Sequence, residues 1–356
     1  MNDIQRIGRS SAYRRIMRRR KRRRQIIIYR IKFGAVTVAL LAVLIFIIVK
    51  CVGCATSKSE NNNDSAVVAQ TDAVAENIIQ QPTKPVITIQ RPVKSESYQE
   101  IVSDSVKSEV AALFDIDAHK VIAGRRYDDQ IYPASMTKVM TLIVAVENIK
   151  DMDSTFTMTV DIIDPLVRQE ASRAGFDPGE QVVATDLLYG LILPSGADAA
   201  EALAMMISGS EEEYVKLMNA KCSEIGLTRT HFTNTSGLHD NNQYTTPTEM
   251  AMIMEYAMKN ETCAKILSTY QYTTKSTSQH PEGIELTSTM FSRMYGDEAE
   301  GVSITAGKTG YTIEAGNCMV SYAVRQDRHY ICVTAKGTNK WHPIFDCIEL
   351  YGKYLP

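Results

Sequence analysis

The longest apolar stretch of the chain is FGAVTVALLAVLIFIIV, residues 33–49, which carries no charge. At about 1.5 Å per residue this is close to the short limit for a bilayer span. Extension through residues 51–55, with Lys50 snorkelling, predicts a transmembrane helix over 33–55. Polar residues and prolines dominate residues 56–96 and no period persists there, which predicts a disordered linker. From residue 97 the texture becomes globular. AALFDIDAHKVIAGRR reads as two strands around a turn, and VMTLIVAVENI, apolar all round, as a buried helix. TDLLYGLIL (185–193) and ADAAEALAMMI (197–207) read as two more buried helices. Ser210 with Glu213, and Thr246 with Glu249 and Pro247 between them, are capping boxes that open two further helices. GVSITAG, AGNCMVSYAV and HYICVTAKG read as three strands, and HPIFDCIELYGKYL closes as an amphipathic helix. Strands at both ends with helices between predict one α+β domain over 97–356, whose antiparallel sheet joins the first and last segments.

Charge sharpens the first part of this picture. The 356-residue chain has a net charge of −2, yet residues 1–32 hold 13 Lys/Arg and one acid, while the part from Cys51 onward holds 25 bases against 40 acids. A run such as MRRRKRRRQ suits nucleic acid, but its place directly before an apolar span makes it a cytoplasmic flank. The flank is long for a signal peptide and the small-residue cleavage pattern is poor, which predicts an uncleaved anchor with the body outside the cytoplasm. Seven cysteines without a C-x-x-C pair in the body read as small buried hydrophobes rather than a disulfide framework or a metal site; CVGC at 51–54 lacks the residue expected before a lipoprotein cysteine.

The chain has no G-x-S-x-G elbow, H-E-x-x-H, Walker loop or G-x-G-x-x-G, and its six histidines are dispersed. What it has is a serine and a lysine one turn apart, Ser135-x-x-Lys138, at the mouth of the first buried helix. Ser195-Gly196-Ala197 follows in LILPSGADAAEALA, and Lys308-Thr309-Gly310 in ITAGKTGYTIEAGNC. Each motif alone is weak; Ser135 alone could be a helix cap and K-T-G alone a turn. In this order they form the S-x-x-K, middle-serine and K-T-G set of penicillin-binding proteins and class A β-lactamases. With PASMTKVMTL, PGEQVVATDLLYGLILPSGADAAEALA, HFTNTSGL and GKTGYTIEAGNC, the chain resembles the serine D-alanyl-D-alanine carboxypeptidases, the low-molecular-mass penicillin-binding proteins, over roughly residues 100–353.

The resemblance implies a β-lactamase/transpeptidase-like fold and a cofactor-free, metal-free hydrolase. It implies Ser135 as nucleophile, Lys138 as its base and Ser195 as proton relay. Lys308 and Thr309 would meet the substrate carboxylate, with Gly310 beside them and the backbone N–H of Tyr311 in the oxyanion hole. An arginine that assists in the family has no assignable position here. The implied partners are peptidoglycan stem peptides, β-lactams as inhibitors, and the membrane through the N-terminal helix. The family's second, β-rich domain and its C-terminal anchor have no counterpart before Pro356, and the N-terminal span would replace the anchor. The chemistry asks for a lysine pKa lowered by roughly 3 pH units from about 10.4, which burial and a second cation both promote. One position departs: the usual S-x-N asparagine is Ala197, with Asp198 beside it as a candidate substitute or, more simply, a helix-start residue. That departure motivates a non-catalytic wall-binding reading. A β-lactamase reading lacks an E-x-x-L-N string between Ala197 and Lys308.

Overall fold

The structure, a computed structural model, describes residues 87–102, 104–294 and 299–355. The described residues all belong to one compact unit, which begins at Pro82. The basic segment 1–32, the span 33–55 and most of the 56–96 linker therefore lie outside the described residues. Among the described residues no helix is long and apolar enough to cross a membrane.

A six-stranded sheet forms the centre. Its strands are β1 (Val93–Glu100), β2 (Val110–Asp115), β3 (Lys120–Arg125), β8 (Ser303–Thr312), β9 (Gly316–Arg325) and β10 (Arg328–Gly337), in the order β1-β3-β2-β10-β9-β8. β2 pairs antiparallel with β10, so the first and last strand segments do share one sheet. Two short two-stranded antiparallel sheets stand apart from it, β4 (Thr155–Thr157) with β5 (Gln181–Val183) and β6 (Gln271–Thr273) with β7 (Glu285–Thr287).

Strand β1 corrects the linker boundary. The stretch 56–96 was expected to lack structure throughout, yet β1 starts at Val93 and lies parallel on β3. Upstream of it, Ile87 and Ile89 pack on the core, and Arg91 pairs with Asp128 and with the fully buried Glu249, each at 2.9 Å. The strand reads VKSESYQE and none of its residues is buried. It is held by the backbone ladder at a sheet edge, so no alternation of apolar side chains announces it.

The sheet is covered on both faces, and its central strands alternate between two cores. On β10, Ile331, Val333 and Ala335 join the larger helical core, while Tyr330 and Cys332 join a smaller core under the C-terminal helix α9 (His342–Tyr354). A strand buried on both sides reads as a continuous apolar run. The larger core holds α1 (Lys138–Asn148), whose residues through Ala145 are all buried. Around it lie α2 (Val160–Arg168), α3 (Ala184–Ile192), α4 (Ala197–Ser208), α5 (Glu211–Ile225), α6 (Pro247–Met258) and α7 (Glu261–Leu267); α8 (Phe291–Met294) is a single turn. Both N-cap bonds form: Ser210 accepts from Glu213 N and Thr246 from Glu249 N, while the Glu249 carboxylate is taken by Arg91 and by the Thr228–Thr230 segment. The five described cysteines are buried free thiols, as expected.

Candidate active site

Residues 134–137 form one turn of 3-10 helix that runs into α1. In a 3-10 turn, side chains at i and i+3 eclipse. Ser135 and Lys138 therefore point the same way, and Lys138 Nζ donates to Ser135 Oγ at 3.2 Å. Ser135 makes no capping bond at this helix start, which leaves its hydroxyl for other work. Lys138 is 2% exposed, at the base of the buried helix. Its second partner is the backbone carbonyl of Ser236, 2.5 Å away in the TNTSGL loop. Gly237 holds this loop close: it sits at φ +84°, and a Cβ there would be 2.0 Å from the Ala134 carbonyl oxygen.

The second serine and lysine meet across the cavity. Lys308, on β8, is buried; its Nζ donates to Ser195 Oγ and to the Thr309 carbonyl, both at 2.9 Å. Ser195 stands at the start of the turn into α4 with φ +69°. A non-glycine residue in that region costs about 1–3 kcal/mol, and the Lys308 bond holds its hydroxyl where this conformation points it. Gly310 brings β8 against the nucleophile: a Cβ there would lie 2.7 Å from Cys318 Sγ and 2.9 Å from Ser135 N. Thr309 Oγ1 is 2.7 Å from Thr289 Oγ1. Ser135, Lys138, Ser195, Thr309, Gly310 and the exposed Tyr311 all line one cavity of about 540 Å³, with Lys308 directly behind Ser195.

Burial brings Lys138 down to about 7, against the opposing pull of Asp198 and Glu201. Burial also lowers Lys308 well below its ordinary value, helped by the nearby cations Lys138 and Arg293. A lysine that titrates near neutrality presents a free amine to Ser135 under ordinary conditions.

Ala197 lines the cavity and brings no polar atom to it. Asp198 does not replace the amide. Its Oδ1 accepts from Ala174 N at 2.7 Å and Ala199 N at 2.9 Å, and its Oδ2 from Gly175 N at 3.1 Å. It pins the 171–175 segment onto α4, the structural role of a carboxylate at a helix start.

Two contributors had no signal in the sequence. The Ser236 carbonyl is a backbone group brought to Lys138 only by the fold. Arg293, on α8, puts a half-buried guanidinium into the cavity wall beside Thr289 and Thr309. Among the described residues no carboxylate pairs with it, and burial lowers its pKa. A lone Arg in TSTMFSRMYG has no spacing rule to mark it.

The family model described as D-alanyl-D-alanine carboxypeptidase matches residues 95–339. The chain belongs to the D-alanyl-D-alanine carboxypeptidase family. Among its relatives is the D-alanyl-D-alanine carboxypeptidase DacF of Bacillus subtilis, 31% identical over 63% of this chain and 56% of that protein. A D-alanyl-D-alanine carboxypeptidase of Streptomyces sp. strain K15 is 32% identical over 58% of this chain and 72% of its own length. The chain thus matches little more than half the length of the Bacillus relative. The crystal structure of the Streptomyces K15 DD-transpeptidase superposes with a TM-score of 0.64 at 28% identity, over 72% of this chain and all of that one. The carboxypeptidase of Mycobacterium tuberculosis superposes with a TM-score of 0.61 at 28% identity, over 70% of this chain and 92% of that one. The carboxypeptidase family named from three short motifs is therefore the chain's own.

Proposed function

We propose that the chain is a membrane-anchored serine D-Ala-D-Ala carboxypeptidase that trims peptidoglycan stem peptides outside the cytoplasm and is acylated by penicillins. The observation that carries this reading is the buried Lys138, near neutrality in its titration, hydrogen-bonded to Ser135 at 3.2 Å. In this mechanism Lys138 takes the hydroxyl proton as Ser135 Oγ attacks the carbonyl carbon of the terminal peptide bond. The N–H groups of Ser135 and Tyr311 face the developing oxyanion. The carbon–nitrogen bond breaks, and D-alanine leaves with a proton delivered through Ser195 and Lys308. Water, deprotonated by the same base, then cleaves the Ser135 ester. Arg293, Thr309 and Lys308 receive the carboxylate of the leaving D-alanine; a half-buried guanidinium without a carboxylate partner among the described residues is suited to a planar carboxylate. The +12 head before the apolar run supports the anchor and the orientation.

The full-length chain, purified in detergent, should form a covalent adduct with a fluorescent penicillin and release D-alanine from a D-Ala-D-Ala peptide. Ser135→Ala should do neither. Undiminished labelling of Ser135→Ala, or an adduct mapped to Ser195, overturns the assignment.

A further inference from the structure

The Thr309 hydroxyl has a second hydroxyl against it. Thr289 Oγ1 lies 2.7 Å from Thr309 Oγ1, and among the described residues neither hydroxyl has another hydrogen-bond partner. Thr289 is set in place by the backbone around it. Its N donates to the carbonyl of Leu193 at 3.0 Å, two residues before Ser195, and Ser288 N donates to the Tyr270 carbonyl at 2.8 Å. The buried Met290 follows. Its Sδ takes the space that a Cβ on Gly307 would need, so the glycine before Lys308 lets this segment close on β8. Thr289 thus joins the middle-serine turn to the K-T-G strand, and it lines the same cavity as Thr309.

Two hydroxyls in one hydrogen bond place a single hydrogen between them, and a carboxylate only accepts. A hydroxyl that meets a carboxylate must therefore turn its own hydrogen toward it. Thr309 can do this and keep its bond to Thr289 only if Thr289 supplies the hydrogen between them. Thr309 is the inner of the two: its neighbour Gly310 lies against the nucleophile, where a Cβ would be 2.9 Å from Ser135 N. With a single alanine as leaving group, the substrate carboxylate lies within one residue of the carbonyl that Ser135 attacks. We propose that Thr289 is a positioning residue for carboxylate recognition: it donates to Thr309, so that the Thr309 hydrogen points to the carboxylate that marks the end of the peptide. The role rests on the reading of the chain as a D-Ala-D-Ala carboxypeptidase. The anion polarises the row from Thr289 to Thr309 in one sense, and each bond strengthens the next. An uncharged terminal amide, which both donates and accepts, does not fix that sense. Arg293, four residues after Thr289 and in the same cavity wall, supplies charge, and the hydroxyl pair supplies direction.

The test compares kcat/KM of the full-length chain, purified in detergent, on one peptide ending in D-Ala-D-Ala and on the same peptide ending in D-Ala-D-alaninamide. Thr289→Val keeps the branched shape and removes the hydroxyl. It should lower kcat/KM on the acid roughly three- to tenfold and leave the amide within about twofold of wild type. Thr289→Ser restores the hydroxyl and should bring the acid back to within about twofold of wild type. In a Thr309→Val background, Thr289→Val should cause no further loss on the acid. A merely structural role, holding residues 288–294 against β8, would lower both peptides alike and would overturn the proposal, as would an unchanged acid-to-amide ratio in Thr289→Val. A full Thr289→Val loss in the Thr309→Val background would also overturn it, because Thr289 itself would then be on the substrate. A wild type that cleaves acid and amide equally well would refute the carboxylate role alone. A wild type that cleaves neither would instead remove the carboxypeptidase reading on which the proposal stands.

Discussion

Replacing Arg293 tests how the site reads the end of its substrate. The guanidinium is half-buried in the cavity wall with no carboxylate partner among the described residues. A charge-assisted hydrogen bond to a substrate carboxylate is worth about 1.5–3 kcal/mol, and a half-buried fork belongs in the upper part of that range. At 1.36 kcal/mol per factor of ten, a contribution of about 2–3 kcal/mol is a loss of roughly 30- to 150-fold in kcat/KM for Arg293→Ala. Arg293→Lys keeps the charge without the fork and should recover part of it. The assay is D-alanine release from a peptide ending in D-Ala-D-Ala, beside cleavage of the same peptide ending in D-alaninamide. The wild type should prefer the acid by about the same factor that the mutant loses, and the mutant should barely distinguish the two. Equal losses of Arg293→Ala on acid and amide would refute the reasoning: the guanidinium would then act on the wall of the site, or on Lys308, whose pKa it lowers, and not on the substrate.

Ala197→Asn restores an amide at the cavity-lining position and should raise the acylation rate by an amount bounded by one hydrogen bond, roughly tenfold; an unchanged rate would show that the position does not contact the reacting groups. For the anchor, protease added to intact protoplasts should digest the body and spare residues 1–32; a protected body, or one released into the medium without detergent, would contradict the topology.

The sequence by itself determined the features that depend on local chemistry. Buried helices and strands showed because their apolar residues are continuous or periodic, and both N-cap residues because a cap needs a fixed offset of three residues. Ser135 and Lys138 showed for the same reason: one turn of helix sets their separation whatever surrounds it. The family followed from the order of three such short motifs. What depends on segments far apart in the chain was decided by the tertiary structure. Strand β1 was hidden because a ladder of backbone bonds at a sheet edge needs no apolar side chains. Arg293 gained its place because α8 lies beside Thr309 in the fold, a neighbourhood that no spacing encodes. Asp198 was resolved as a structural residue only when its oxygens were found on the N–H groups of Ala174, Gly175 and Ala199. Above all, a lysine in S-x-x-K is a candidate base by residue type alone. More than ninety residues of intervening chain bring the Ser236 carbonyl to its Nζ and fix its position, and it becomes a base because the core excludes water around it: desolvation acts through the whole surrounding volume, and no short stretch of sequence contains that volume.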